Sequence, residues 1–222
     1  YFGRGEPDPE VGATPKRAML DKVRADLAEV TRVMAEHPVK FCYAENWVYA
    51  PAVQKALEIL DRYVVAGSIL EIRGEESHSG SHSEYSKWWR YAGGGSLARL
   101  AAHPIGLGLF LKHFEGRKKT GRPILPVGVL ADGVDLTKTP AFASVKGSPL
   151  VTGWGDVETW AQATVTFSDG TRGVFYGADN LLGGMDSTVD IRLSNARLKL
   201  DICPVRLCQF YTVDPAPVQD VY

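Results

Sequence analysis

Apolar residues near the start of the chain recur with the spacing of an amphipathic helix. Thr14 followed by Pro15 favours a helix start, and His37 before a proline ends the pattern. The apolar face is formed by Met19, Leu20, Val23, Leu27, Val30, Val33 and Met34. The pattern therefore predicts a helix capped by Thr14, preceded over residues 1–13 by an irregular, exposed segment rich in Gly, Pro and acidic groups.

The next part of the chain alternates between short apolar runs and helical spacing. It predicts, in order, a strand over 39–43, a helix over 51–64 and a strand over 68–73. The polar residues Glu45 and Asn46 follow the first of these strands.

Beyond residue 126 the pattern changes to that of strands. Apolar and small residues alternate, and Asp169-Gly170 is a hairpin signal. The predicted strands cover residues 127–136, 158–167, 172–176, 187–193, 197–202 and 207–213. This half predicts a mostly antiparallel sheet with one buried face.

The segment 91–112, YAGGGSLARLAAHPIGLGLFLK, combines three consecutive glycines with two ionisable residues in an apolar run. Ser96 is positioned to cap a helix, on which Arg99 and His103 would lie four residues apart on one face. This arrangement predicts an active-site helix. The alternative is that His103 is a hydrogen-bonded core histidine beside a kink caused by Pro104. A dinucleotide fingerprint is not predicted, because no buried strand precedes the glycines.

The most polar segment, 75–90, holds two histidines and two tryptophans, a composition suited to a binding loop. His78 and His82 have a spacing that pairs metal ligands only on a helix, and the residues between them favour a loop. We therefore expect no metal, and a loop that binds a polar substrate and includes Tyr85 and Arg90.

Composition narrows the class of protein. The 222 residues are 45% hydrophobic and carry a formal net charge of -1, without basic runs, so neither nucleic acid nor a membrane is expected as a partner. Three cysteines without a CxxC motif argue against a disulfide framework. With no secretory signal or long apolar run, we expect a soluble, cytoplasmic protein.

The glycine segment resembles the GGGxLxDxGxHxxD motif of the glucose–fructose oxidoreductase, inositol dehydrogenase and rhizopine-catabolism (Gfo/Idh/MocA) family. The flanking Glu45-Asn46-Trp47 and Trp88-Trp89-Arg90 agree with it. The resemblance implies an α/β (α+β) fold: a substrate and oligomerisation domain over 46–222, with a large, mostly antiparallel open-faced sheet flanked by helices. Residues 1–45 would be the last helix and strand of a Rossmann domain.

The same resemblance implies a function. Such enzymes transfer hydride between NAD or NADP and a polyol, sugar or sugar-acid hydroxyl, and assemble as homo-oligomers through the sheet. The chain would begin just after the family's Glu-Lys-Pro segment, so the catalytic lysine and most of the cofactor site would lie upstream of Tyr1. The chain alone is therefore expected to bind dinucleotide poorly and to be inactive.

His103 takes the position of the family's catalytic histidine, which would accept the hydroxyl proton. Arg99 stands where the family has an aspartate, and could bind a substrate carboxylate or phosphate. Other predicted substrate-binding residues are Asn46, His78, His82, Tyr85 and Arg90. Two alternatives are a non-catalytic metabolite-binding or oligomerisation scaffold and a metal-dependent hydrolase using His78, His82 and His103.

Overall fold

The computed structural model describes residues 8–62, 67–203 and 208–212. The helices are α1 (Lys16–Glu36), α2 (Pro51–Arg62), α3 (Trp89–Ala92), α4 (Ser96–Arg99), α5 (Ala102–Thr120) and α6 (Pro140–Ala143). The strands are β1 (Ile69–Ser77), β2 (Pro126–Val134), β3 (Trp160–Phe167), β4 (Arg172–Ala178), β5 (Asp186–Leu193), β6 (Ala196–Asp201) and β7 (Cys208–Thr212). Short 3-10 turns cover Asp8–Ala13, Asn46–Tyr49, Glu84–Lys87 and Leu136–Lys138.

The strands form a seven-stranded sheet in the order β2-β3-β4-β1-β5-β6-β7. Within the described ranges β1 and β4 make the parallel pair, and the other neighbours are antiparallel. The predicted turn at Asp169-Gly170 joins β3 to β4, and Gly170 has the positive φ of 85° that such a turn favours. The predicted mostly antiparallel sheet is confirmed, although the ends of the last predicted strand, residues 207 and 213, lie outside the described residues.

The two faces of the sheet differ in chemistry. One face packs against α2 and α5, and its side chains form the hydrophobic core, which includes Ile72, Val165, Phe167, Phe175, Val189, Ile191, Leu198 and Leu200. The other face carries ion pairs, such as Arg192 with Glu71 at 2.8 Å and Arg197 with Asp190 at 2.7 Å. This open face fits the predicted architecture; oligomerisation through it remains a prediction.

The helices approach the central strands closely at two glycines. A Cβ atom on Gly74 of β1 would lie 2.5 Å from Cβ of Pro104, and one on Gly177 of β4 would lie 2.8 Å from the backbone of Ala101 and Ser96. Both distances are too short for real atoms, so a larger residue would force the helices away from the sheet. The lack of side chains at these glycines therefore lets residues 91–112, the predicted active-site segment, lie directly on the sheet.

Residues 8–13 differ from the expected irregular, exposed segment, of which residues 1–7 lie outside the described residues. Val11 is fully buried, and the Gly12 amide donates to Oδ2 of Asp156 at 2.9 Å. Asp156 Oδ1 also accepts from the Trp89 amide at 2.6 Å, so one carboxylate connects this turn to the start of α3.

The predicted first helix is present, but two expectations around it are wrong. It begins at Lys16 after Pro15, without a side-chain cap from Thr14. The strand expected over 39–43 is not formed, because none of the described residues pairs with its backbone.

The apolar face of α1 is largely uncovered within the described chain. Met19 is buried, whereas Leu27 is 59% exposed and Leu20, Val30 and Val33 are also exposed. No helix in the described ranges is both long and apolar enough to span a membrane.

A buried ammonium group joins α5 to the sheet. The Lys112 side chain is 1% exposed, and its Nζ donates to Glu115 at 2.5 Å, to Asp169 at 2.8 Å and to the Ile69 carbonyl at 3.2 Å. Glu115 in turn accepts from the Ile69 amide at 2.8 Å. This network links α5, the start of β1 and the β3–β4 turn.

We expect Lys112→Met to lower the free energy of unfolding by about 3–5 kcal/mol, because it leaves buried carboxylate oxygens without their cation. Urea unfolding of the purified variant measures the change. Lys118→Met removes an exposed ion pair on the same helix and should cost less than about 1 kcal/mol. Equal losses in the two variants would contradict the structural role of Lys112.

Candidate active site

Residues 96–112, where one helix was predicted, belong to two helices. Helix α4 ends at Arg99, and α5 begins at Ala102. Between them the Ala101 amide donates to the Ser96 carbonyl at 3.0 Å, a spacing that does not continue an α-helix. Pro104 is the third residue of α5, in the first turn where its missing N–H costs nothing, so it does not kink the helix. Arg99 and His103 therefore do not share a helix face, and that prediction is wrong.

The start of α4 is capped by a residue from far along the chain. Ser96 is the first helical residue rather than the cap, and its buried Oγ has no partner among the described residues. The Glu158 carboxylate accepts from the amides of Gly95, at 3.2 Å, and Leu97, at 3.0 Å. Because a carboxylate already fills this glycine-rich helix start, it does not fit a dinucleotide phosphate.

His103 is held by a carboxylate and an aromatic ring. Its Nδ1 lies 3.0 Å and 2.9 Å from the two carboxylate oxygens of Glu45. Glu45 is 7% exposed and also accepts from the Trp47 amide at 3.0 Å. The Trp47 ring stacks on the imidazole, with centroids 5.8 Å apart and planes 12° apart. The stacked Trp47 ring and the Glu45 carboxylate therefore hold the imidazole in one orientation.

The Glu45 contact determines which imidazole nitrogen can take up a proton. A carboxylate accepts the Nδ1–H hydrogen bond, which leaves the lone pair on Nε2. The hydrogen bonds of His103 within the described chain all engage Nδ1, and the side chain is 31% exposed. Nε2 is thus a proton acceptor within reach of a bound molecule.

His103 lines a cavity of 390 Å³. The other lining residues are Asn46, Trp47, Tyr49, Ala50, Glu76, Met185, Ser187, Ile202 and Cys203. Glu76 projects from β1, and its buried Oε2 has no hydrogen-bond partner among the described residues. Burial raises the pKa of Glu76; His103 opposes the rise and Glu45 adds to it. The cavity combines the His103 imidazole, the Glu76 carboxylate and the Asn46 amide with an apolar wall.

Arg99 lies in a different cluster. Its guanidinium forms an ion pair with the buried Asp179 and lies 5.4 Å from the ring centroid of Trp154. His78 Nδ1 accepts from the Gly80 amide at 3.1 Å and lies 3.7 Å from Asp179. Burial lowers the pKa of His78, and the nearby Arg99 charge lowers it further. The guanidinium already has an anionic partner from the protein.

The structure brings together only some of the predicted site residues. Asn46 and His103 line the same cavity, while Arg99 and His78 share Asp179. The cavity lining does not include Arg99, His78, His82, Tyr85 or Arg90. Residues 75–77 of the predicted polar loop belong instead to β1, which extends to Ser77. No group of three His, Cys, Asp or Glu side chains suited to a metal ion occurs in the described ranges. The roles of the predicted residues remain predictions.

The sequence did not indicate Glu45 and Glu76 as part of the site. Glu45 gave a partial signal, since it directly precedes the predicted residue Asn46 after an apolar segment. Glu76 lay in a polar stretch without periodicity, where no pattern distinguishes a cavity residue from a solvated one.

The sequence matches no protein-family profile and no curated relative. Solved structures are similar in three dimensions. An NAD-binding oxidoreductase from Klebsiella pneumoniae superposes with a TM-score of 0.64 at 19% identity, over 84% of this chain and 47% of that one. UDP-N-acetylglucosamine 3-dehydrogenase from Acidithiobacillus ferrooxidans gives 0.60 at 15% identity, over 95% and 60%. Levoglucosan dehydrogenase in complex with NADH gives 0.54 at 19% identity, over 78% and 47%.

The chain has the fold of the Gfo/Idh/MocA type of oxidoreductase. It spans about half the length of these structures. The structural likeness confirms the resemblance seen in the sequence. At these identities it establishes the Gfo/Idh/MocA-type fold, and function has to be argued from the site.

The buried carboxyl of Asp179 generates a prediction about pH. Burial raises its pKa to about 6, against the opposing effect of Arg99. Folding therefore takes up a proton at Asp179 above its unfolded pKa of about 4. Its contribution to stability is fully present below pH of about 4 and is lost as the pH rises through about 6.

Between pH of about 4 and 7 we expect the free energy of unfolding of Asp179→Asn to rise relative to that of the parent by up to about 3 kcal/mol, because the variant lacks this ionisation. The test is the change of this difference with pH, since the variant also loses the ion pair with Arg99. Urea unfolding of both proteins across that range measures the difference. The control is Asp21→Asn, which removes an exposed carboxylate on α1. Its free energy of unfolding should differ from that of the parent by the same amount at every pH. If the free energies of unfolding of Asp179→Asn and the parent differ by the same amount at every pH, Asp179 has the same pKa in the folded and unfolded protein.

Proposed function

We propose that this chain is the substrate-binding part of a nicotinamide-dependent oxidoreductase that acts on a sugar or polyol hydroxyl, with His103 as the proton acceptor. The observation that carries the proposal is the His103–Glu45 pair at the wall of the 390 Å³ cavity. The fold adds support, since similar structures include a sugar-nucleotide dehydrogenase and levoglucosan dehydrogenase.

The proposed proton transfer uses groups that are already in place. A substrate hydroxyl bound in the cavity would donate a hydrogen bond to Nε2 of His103, and the proton would move to Nε2 as the alcohol is oxidised. Glu45 would hold the imidazole in the required tautomer and stabilise the imidazolium that forms. Trp47 would prevent the ring from rotating, and Asn46 could orient a second polar group.

NAD or NADP would supply the hydride acceptor. We propose that residues outside this chain hold most of the cofactor, because the glycine-rich start of α4 is filled by Glu158. The active protein would then contain this chain joined to a dinucleotide-binding domain. In the metabolite-binding form of the non-catalytic alternative, Arg99 would be the anion-binding group, and the pairing of Arg99 with Asp179 gives that form no support.

We expect His103→Ala to lower kcat for alcohol oxidation by about 10²–10⁴-fold, the usual contribution of a positioned general base. The assay follows reduced nicotinamide formation by the full-length protein over a panel of sugars, polyols and sugar acids. His113→Ala changes an exposed histidine on the same helix and should retain the parent rate. If His103→Ala turns over an identified substrate as fast as the parent, His103 is not the base.

Glu45→Gln tests the positioning of the imidazole. The amide can turn its NH₂ group toward Nδ1 and favour the tautomer with the proton on Nε2, as well as removing the charge that stabilises imidazolium. We expect kcat to fall by about 10²-fold or more with KM nearly unchanged, as for an interaction made in the transition state. A rise in KM at unchanged kcat would instead place Glu45 in substrate binding alone.

A further inference from the structure

The Glu76 carboxylate, which lines the cavity, is not used by the proposed proton transfer. Glu76 lies on β1 two residues after Gly74, on the sheet face that packs against α5. In the sheet register it stands between Gly177 of β4 and Ser187 of β5. Its side chain lines the same cavity as His103, so a molecule bound there would contact both groups.

The surroundings of Glu76 provide no protein partner for one of its oxygens. Oε2 is buried and accepts no hydrogen bond from the described residues. Buried polar atoms are usually satisfied, so an unsatisfied oxygen in the wall of a cavity calls for an explanation. No lysine or arginine is among the described residues that line the cavity. Because none of the described residues donates to Oε2, this oxygen is available to a donor on a bound ligand.

The charge of the cavity limits which ligand can supply that donor. Glu45 is already paired with His103 through Nδ1, and Glu76 adds a second carboxylate nearby. The raised pKa of Glu76 has burial as its largest cause, which is the effect expected of a carboxylate that lacks donors. A ligand hydroxyl would supply one, whereas a ligand carboxylate would bring a further negative charge into the same space.

We propose that Glu76 is a specificity-determining residue that accepts a hydrogen bond from a hydroxyl of a neutral sugar or polyol and disfavours substrates that carry a carboxylate. This inference rests on the proposed function and narrows it, since sugar acids were among the substrates implied by the family resemblance. It also moves substrate recognition away from Arg99, the predicted anion-binding group.

The test compares matched neutral and acidic compounds of equal chain length. D-glucitol and D-gluconate, together with the corresponding pentitol and pentonate, are assayed as kcat/KM with the full-length parent and with Glu76→Gln. We expect the parent to prefer the neutral member of each pair. In Glu76→Gln that preference should fall by roughly tenfold or more, because a like-charge contact at short range is worth more than 1.4 kcal/mol.

The control is Glu75→Gln, which changes the neighbouring residue of β1. Glu75 points to the open face of the sheet, where it accepts from Ser77 Oγ at 2.8 Å, so its replacement should leave the neutral-to-acid ratio unchanged. Thermal unfolding of both variants confirms that they are folded. Glucosamine is included because an ammonium group would also be attracted to Glu76.

Several outcomes would overturn the inference. These are an unchanged ratio in Glu76→Gln, a parent that prefers the acids or glucosamine, and no binding of any neutral compound by calorimetry.

Failure of the proposed function gives a different result. If His103→Ala is as active as the parent while Glu76→Gln changes the ratio, the base assignment is wrong and the specificity role stands. If His103→Ala is inactive and the ratio is unchanged, the specificity role is wrong.

Discussion

The close packing of α4 and α5 on the two central strands is the constraint on which the site depends. Gly74 and Gly177 let helix backbone and Pro104 lie directly on the sheet, where any side chain would collide with them. Over this contact α4 ends at Arg99 and α5 begins at Ala102. The break sends two neighbouring ionisable residues toward different partners. Arg99 turns to the Asp179 cluster, and His103 turns to the cavity.

Carboxylates from distant parts of the chain make two contacts that were expected from residues close in sequence. Glu158 binds the amides at the start of α4, where Ser96 was expected to act as the cap. Glu45 supplies the acid beside His103 that position 99 no longer provides. In both cases the chemistry expected at a position is present, but a residue from another element delivers it.

The sheet could be predicted because strand residues alternate between a buried and an open face, and because Asp169-Gly170 marks a tight turn. The parallel pairing of β1 with β4 could not be predicted, because it depends on where a distant hairpin packs. Periodicity also found α1, but it could not show that the predicted strand over 39–43 pairs with none of the described residues. Of the predicted site residues, His103 and Asn46 line the same cavity. Glu45 could not be found by pattern, because side-chain partners separated by 58 residues leave no periodic trace.

The position of Glu45 has a consequence for how this protein can be divided. The resemblance places the boundary between the two domains after residue 45, so that the substrate domain begins at Asn46. Cutting or exchanging the chain there would retain the sheet and most of the cavity, yet it would remove the carboxylate that orients the imidazole. A piece of the chain that keeps the His103–Glu45 pair must therefore begin at or before Glu45. Chimeras joined upstream of Glu45 would keep the two together.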